Sequence, residues 1–276
     1  MGENVDLSNV DAHVNGSNET SKKSNCFMWT GWTLGLEDVS MGLLQKCGAE
    51  FLGTMFLIVF CVGSANSTIL QSLGSASLGY YLSISIAFGF GIGGIVHILS
   101  STSGGHVNPA VSLAFFLDGR VSLLVALAYI VAQFAGGFAG AGILYEMGNF
   151  KENIEDGRLQ SISGGNAVSA SISQEHAFFL EMFGTIFLIL TILSTIDKTR
   201  GHAPSYLQPL AIGIAILVMH IFLIPYTNCA INPVRGTVWN VIIGQADSDT
   251  LIFLFAPLVG SVVAVPLHRA FFKPHF

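Results

Sequence analysis

Two asparagines in this chain are each followed by proline, as Asn108-Pro109-Ala110 and Asn232-Pro233-Val234. An asparagine amide offers two N–H donors and one acceptor oxygen. Asparagine is also a preferred helix N-cap, and proline suits the first helical turn, where its missing N–H costs nothing. Each pair therefore predicts a helix start, with an amide beside the partial positive charge of a helix N-terminus. Such a place suits a neutral molecule with acceptor lone pairs and repels a cation. Taken singly, either Asn-Pro is an ordinary turn; the pair is informative because of what surrounds it.

Each copy follows a matching segment, Ala49-Glu50-Phe51-Leu52-Gly53-Thr54 in the first half and Leu180-Glu181-Met182-Phe183-Gly184-Thr185 in the second. The two glutamates are 131 residues apart (181 minus 50) and the two asparagines 124 apart (232 minus 108). That is a duplicated unit carrying one polar, helix-starting loop per copy.

The elements that must position these loops are apolar. Of 276 residues, 51% are hydrophobic and only 10% charged, against about a quarter charged in a soluble domain. Six segments near the length of about 20 residues needed to cross a bilayer run roughly 43–64, 77–98, 121–146, 176–196, 204–224 and 250–272. Shorter segments at 109–118 and 233–242 follow the Asn-Pro pairs. Ten helical residues rise about 15 Å, half of a hydrocarbon core about 30 Å thick. These two are read as re-entrant half-helices that enter from opposite faces and meet near the midplane. Non-helical backbone at that depth is tolerated only inside protein or beside a watery cavity.

The expected organisation is a polar tail (1–42), a first repeat (43–147), a Gly/Ser-rich flexible connector (148–175) and a second repeat with a short C-terminus (176–276). With the N-terminus cytoplasmic, eight basic residues fall inside (Lys22, Lys23, Lys46, Arg120, Lys198, Arg200, Arg269, Lys273) and two outside (Lys151, Arg158). Both termini are thus placed in the cytoplasm, with Trp29 and Trp32 resting part of the tail at the interface. Three spans per repeat invert one copy relative to the other. The loop at 65–76 falls outside and carries Asn66-Ser67-Thr68, a glycosylation acceptor pattern, whereas Asn15 and Asn18 in the tail should stay unmodified. No apolar core of roughly 7–15 residues lies near Met1, so no cleavable signal peptide is expected. Cys26, Cys47, Cys61 and Cys229 have neither metal spacing nor a disulfide framework. No cofactor, no metal and no nucleic-acid partner is expected, and no nucleophile–base pair points to an enzyme.

The chain resembles the aquaporin, or major intrinsic protein, family over about residues 43–272. The resemblance rests on AEFLGT at 49–54, SGGHVNPAVS at 103–112, the Gln133–Gly142 stretch, INPVR at 231–235 and Ala256-Pro257-Leu258. It implies an all-α membrane protein of six transmembrane helices plus two half-helices, one pore per chain, and a homotetramer in the plasma-membrane lipid bilayer. By offset from the asparagines, Phe88, His220, Cys229 and Arg235 match the four positions of the family's outer constriction. Glu50 and Glu181 match glutamates that accept hydrogen bonds from the loop backbones, and His106 matches a pore-side histidine. Pro109, Ala110, Pro233 and Val234 begin the half-helices. Exclusion of cations and protons by half-helix dipoles and an arginine is the known device of aquaporin-type pores, carried over here from the resemblance.

The resemblance implies a passive, water-selective channel. Glycerol channels of this family have a small residue at the His220 position and aspartate after the arginine, where this chain has Gly236. The alternatives are a channel for small neutral solutes (glycerol, urea, hydrogen peroxide) and a junctional or adhesive membrane protein with a closed pore. The chain also departs from the family pattern. Val234 stands where alanine is usual, adding two methyl groups at the half-helix junction; an overpacking cost of about 1–3 kcal/mol is expected, with pore width in question. Asn228 replaces a glycine and is among the few residues that tolerate positive φ. Ser101 replaces a histidine sometimes tied to gating, so pH control from the cytoplasm by that route is not expected.

Overall fold

In the computed structural model of the chain, residues 41–72, 78–147, 154–155, 158–159, 164–197 and 205–273 are described. Lys22, Lys23, Trp29, Trp32, Lys151, Lys198, Arg200, Asn15 and Asn18 lie outside them. The elements run α1 (Met41–Phe56), a π-helical stretch (Leu57–Val62), α2 (Gly63–Ser72), α3 (Leu78–Leu99), α4 (Pro109–Leu117), α5 (Leu123–Met147), α6 (Gln174–Thr195), α7 (Gln208–Thr227), α8 (Pro233–Ile242) and α9 (Ser248–Leu267). Two two-residue strands, β1 (Ile154–Glu155) and β2 (Arg158–Leu159), pair antiparallel between α5 and α6. Among the described residues, six helices are long and apolar enough to cross a membrane. Their outer faces carry large apolar side chains such as Phe60, Phe90, Ile98 and Phe183, each at least 60% exposed. That is the pattern of a protein whose solvent is lipid: it is an integral membrane protein.

Helices pack closely where glycine removes a side chain, as expected where van der Waals contact drives association. In α3 and α7, Gly89 and Gly213 face each other; a Cβ built on Gly89 would lie 2.8 Å from the Gly213 carbonyl oxygen. Gly136 of α5 sits against the Phe51 carbonyl, and Gly260 of α9 against that of Met182. Phe51 and Met182 each follow a repeat glutamate, so the duplication extends to the packing.

The short elements stop where the chain dictates. Asn108 and Asn232 are extended N-caps, with φ of −157° and −151°, and their Oδ1 atoms accept from Ala110 N at 2.9 Å and Val234 N at 3.0 Å. Proline follows at the first helical position of each. After α4, Asp118 accepts from Arg120 Nε at 2.7 Å and from Arg269 Nε at 3.0 Å, tying the far end of the bundle to the half-helix.

Two sequence expectations need correction. Residues 148–175 do not form a uniformly loose connector: Gly164, Gly165 and Asn166 are buried, and Gly164 N donates to Asn66 Oδ1 at 2.6 Å. Asn66 itself lies in α2, not in a loop, and is 2% exposed. A glycan on its amide has no room without opening that contact, so the folded chain does not present Asn66 for modification.

Candidate functional site: a pore through the bundle

Two buried carboxylates shape the loops. Glu50 accepts from His106 N (2.9 Å) and Ser103 Oγ (2.6 Å) at Oε1, and from Val107 N (2.6 Å) and Gln133 Nε2 (2.7 Å) at Oε2. Glu181 repeats the scheme, accepting from Ala230 N (2.9 Å), Ile231 N (2.7 Å) and Thr227 Oγ1 (2.5 Å). These bonds offset the desolvation of buried carboxylates. They also hold two β-branched residues in the left-handed region, Val107 at φ 42° and Ile231 at φ 44°, a conformation such residues rarely adopt. Asn228 adopts φ 58°, the conformation for which asparagine is suited at that position.

The two loops then lock to each other. Asn108 Nδ2 donates to the carbonyl of Ile231 at 3.0 Å and Asn232 Nδ2 to that of Val107 at 2.9 Å. Each amide has two N–H groups, so one remains for the lumen. Both asparagines line a cavity of about 420 Å³, with Val107, Ile231 and His106 beside them. The His106 ring lies 3.1 Å from Ser112 Oγ through Nδ1 and packs against Phe115 and Tyr129.

Arg120, Ser100 and Gln208 border the cavity towards one face, while Phe88, His220 and Arg235 line it towards the other. The Phe88 and His220 rings stack with centroids 4.2 Å apart, and the Arg235 guanidinium carbon lies 5.1 Å from the Phe88 centroid. The Phe88 and His220 rings are in contact. His220 Nδ1 meets the Ile216 carbonyl at 2.9 Å, which makes Nδ1 the donor and leaves Nε2, without a protein partner, as the acceptor. Cys229 is fully buried, with Sγ 3.5 Å from His220 Nδ1.

Val234 is fully buried, and its Cγ1 occupies the space a Cβ on Gly137 of α5 would take. Cγ1 thus fills a notch in the neighbouring helix.

Several supporting residues were not singled out from the sequence. Gln133 and Ser112 brace Glu50 and His106. Asn166 accepts from Arg235 Nη1, and Asn240 bonds the backbone of Asn166. Gln133 opens a stretch quoted above for the family resemblance, but Asn166 sits in a Gly/Ser-rich segment whose composition disguises it. Among the described residues, no group of His, Cys, Asp and Glu could hold a metal ion.

With this geometry in hand, the likenesses to known proteins are informative. The sequence profile of the major intrinsic protein family matches residues 37–268. The chain is 36% identical to aquaporin-2 of Homo sapiens over 230 residues, 83% of this chain and 79% of that one. It is 34% identical to aquaporin-5 of Mus musculus over 234 residues, 84% and 82% respectively. The X-ray structure of the aquaglyceroporin from Plasmodium falciparum superposes with a TM-score of 0.71 at 25% identity, covering 84% of this chain and 98% of that one. The chain belongs to the major intrinsic protein family: it is an aquaporin-family membrane channel and not an enzyme.

Proposed function

We propose that the protein is a passive, water-selective channel that excludes protons and ions. The observation that carries this reading is the meeting of Phe88, His220 and Arg235 in the wall of a cavity that Asn108 and Asn232 also line. A bulky aromatic and a histidine opposite an arginine leave space for a small polar molecule only when the rings part, and the arginine repels cations. At the middle, the free N–H of each asparagine and the two half-helix N-termini favour a water that accepts from both, which interrupts a proton wire. Arg120 and Arg269 mark the cytoplasmic face, and Asn66 with residues 164–173 the outside. The chain assembles as a homotetramer in the plasma membrane, as its family does.

A second reading, a pore for small neutral solutes such as glycerol, draws on the likeness to an aquaglyceroporin. It requires a wider constriction than contacting rings of Phe88 and His220 provide. The experiment that tests the proposal is proton flux into proteoliposomes under an imposed voltage, followed with a pH-sensitive dye. Water permeability without proton conduction supports it; proton conduction that tracks water flux overturns it.

A further inference from the structure

We infer that Gln133 and Ser112 fix the tautomer of His106, so that its ring offers an N–H donor to the lumen and turns its basic nitrogen into the protein. Both are positioning residues that act through His106. The consequence for permeation rests on the proposed passage of water; the tautomer follows from the hydrogen bonds alone.

The chain of bonds starts at Glu50. Its two carboxylate oxygens accept from Ser103 Oγ, His106 N, Val107 N and Gln133 Nε2. That orients the Gln133 amide, because an oxygen in place of Nε2 would stand 2.7 Å from a carboxylate oxygen, acceptor against acceptor. Gln133 therefore faces Glu50 with its nitrogen, even though its own Oε1 is left without a partner. The second N–H of Nε2 donates to Ser112 Oγ at 2.9 Å. Glu50, Ser112 and Gln133 are fully buried, so these bonds are shielded from water and correspondingly strong.

Ser112 then has one proton to place. Among the described residues, its remaining side-chain partner is His106 Nδ1, 3.1 Å away. Were Nδ1 the donor, Ser112 Oγ would accept twice and its own O–H would be buried with no acceptor, an expensive arrangement. The same count excludes the imidazolium, whose Nδ1 also donates. The hydroxyl therefore donates to Nδ1, and the neutral ring carries its hydrogen on Nε2. Nε2 lies over Gly104, where even an added Cβ would be 3.7 Å away, and His106 and Gly104 line the cavity together.

His220 has the reverse arrangement, with Nδ1 donating to the Ile216 carbonyl at 2.9 Å and Nε2 as the acceptor. Water beside His106 presents its oxygen to the ring, whereas water beside His220 presents a hydrogen. With the second N–H of Asn108 and of Asn232, His106 holds passing water by its oxygen and leaves the hydrogens for neighbours in file. A proton in the lumen finds no lone pair on His106, because Nδ1 is turned away and occupied.

The test is solid-state 15N–13C NMR of histidine-labelled, full-length protein in liposomes, paired with stopped-flow water permeability. The chain has 8 histidines, so the two signals are assigned by their loss in His106→Asn and His220→Asn. In the parent, His106 carries its hydrogen on Nε2 and His220 on Nδ1. Ser112→Ala and Gln133→Leu each bring a protonated Nδ1 into the His106 signal and lower water flux per channel several-fold. Ser112→Thr, which keeps the hydroxyl, retains the parent spectrum and flux. A parent His106 protonated on Nδ1 overturns the inference, as does an unchanged tautomer in both Ser112→Ala and Gln133→Leu. A changed tautomer with unchanged flux overturns its link to permeation. If neither variant folds, the parent spectrum decides. A parent protein that passes no water sinks the reading as a water channel, while the spectrum still decides the tautomer.

Discussion

Asn108 and Asn232 exchange hydrogen bonds across the centre of the protein, each donating from Nδ2 to the carbonyl of the residue that precedes the other. The two carbonyls belong to Val107 and Ile231, the β-branched residues held at positive φ. One amide thus caps its own half-helix through Oδ1, clamps the opposite loop through one N–H and offers the second N–H to the lumen. The pair couples the two halves of the duplication.

Replacing Asn232 by Asp tests this coupling. A carboxylate cannot donate, so the Val107 carbonyl loses its partner and a charge is left at the centre. An unsatisfied buried group costs about 1–3 kcal/mol. We expect a lower unfolding midpoint in detergent together with reduced water flux. A variant matching the parent in both contradicts the clamp.

The second prediction concerns Val234. Because its Cγ1 fills the place of a Gly137 side chain, Gly137→Ala forces a clash in a packed interface and should destabilise by about 1–3 kcal/mol. Adding Val234→Ala should restore most of the loss, and Val234→Ala alone should leave water permeability unchanged. Additive losses in the thermal unfolding of the double variant count against the notch.

The constriction gives a third. Phe88→Ala combined with His220→Gly removes both stacked rings and should admit glycerol several-fold faster than the parent, measured by liposome reswelling. Unchanged glycerol entry would place the size barrier elsewhere along the cavity.

A fourth follows from the position of Cys229, whose thiol lies behind His220. Mercuric chloride should lower water flux, reversibly with a thiol reductant, and Cys229→Ser should resist it. His220→Gly should make the block faster by uncovering the sulfur. Equal sensitivity in Cys229→Ser would move the target to Cys61 or Cys47.

Much of this arrangement was legible in the chain. The half-helix lengths follow from Asn-Pro at one end and Asp118-Gly119 or Gly244 at the other, and α4 and α8 run Pro109–Leu117 and Pro233–Ile242. The six spans stood out because lipid-facing and core-facing positions are both apolar, which leaves long uninterrupted runs. The same uniformity hides which face of each helix packs inward, so the Val234 notch in Gly137 could not be read from one sequence. Residues 164–166 were misread for a different reason. Glycine and serine signal flexibility locally, but here they bring backbone close to Asn66, Asn228 and Asn240, partners that are 63 to 98 residues away in the chain (228 minus 165; 164 minus 66). Asn66 matched an acceptor pattern that carries no information on burial.

The central claim is selectivity for water, and the most direct test is stopped-flow permeability of the purified protein in liposomes, with water and glycerol gradients on the same preparation. Water permeability should lie far above that of protein-free liposomes, and glycerol permeability at their level. Glycerol permeability comparable to that of a known glycerol channel, in the unmodified protein, would contradict it.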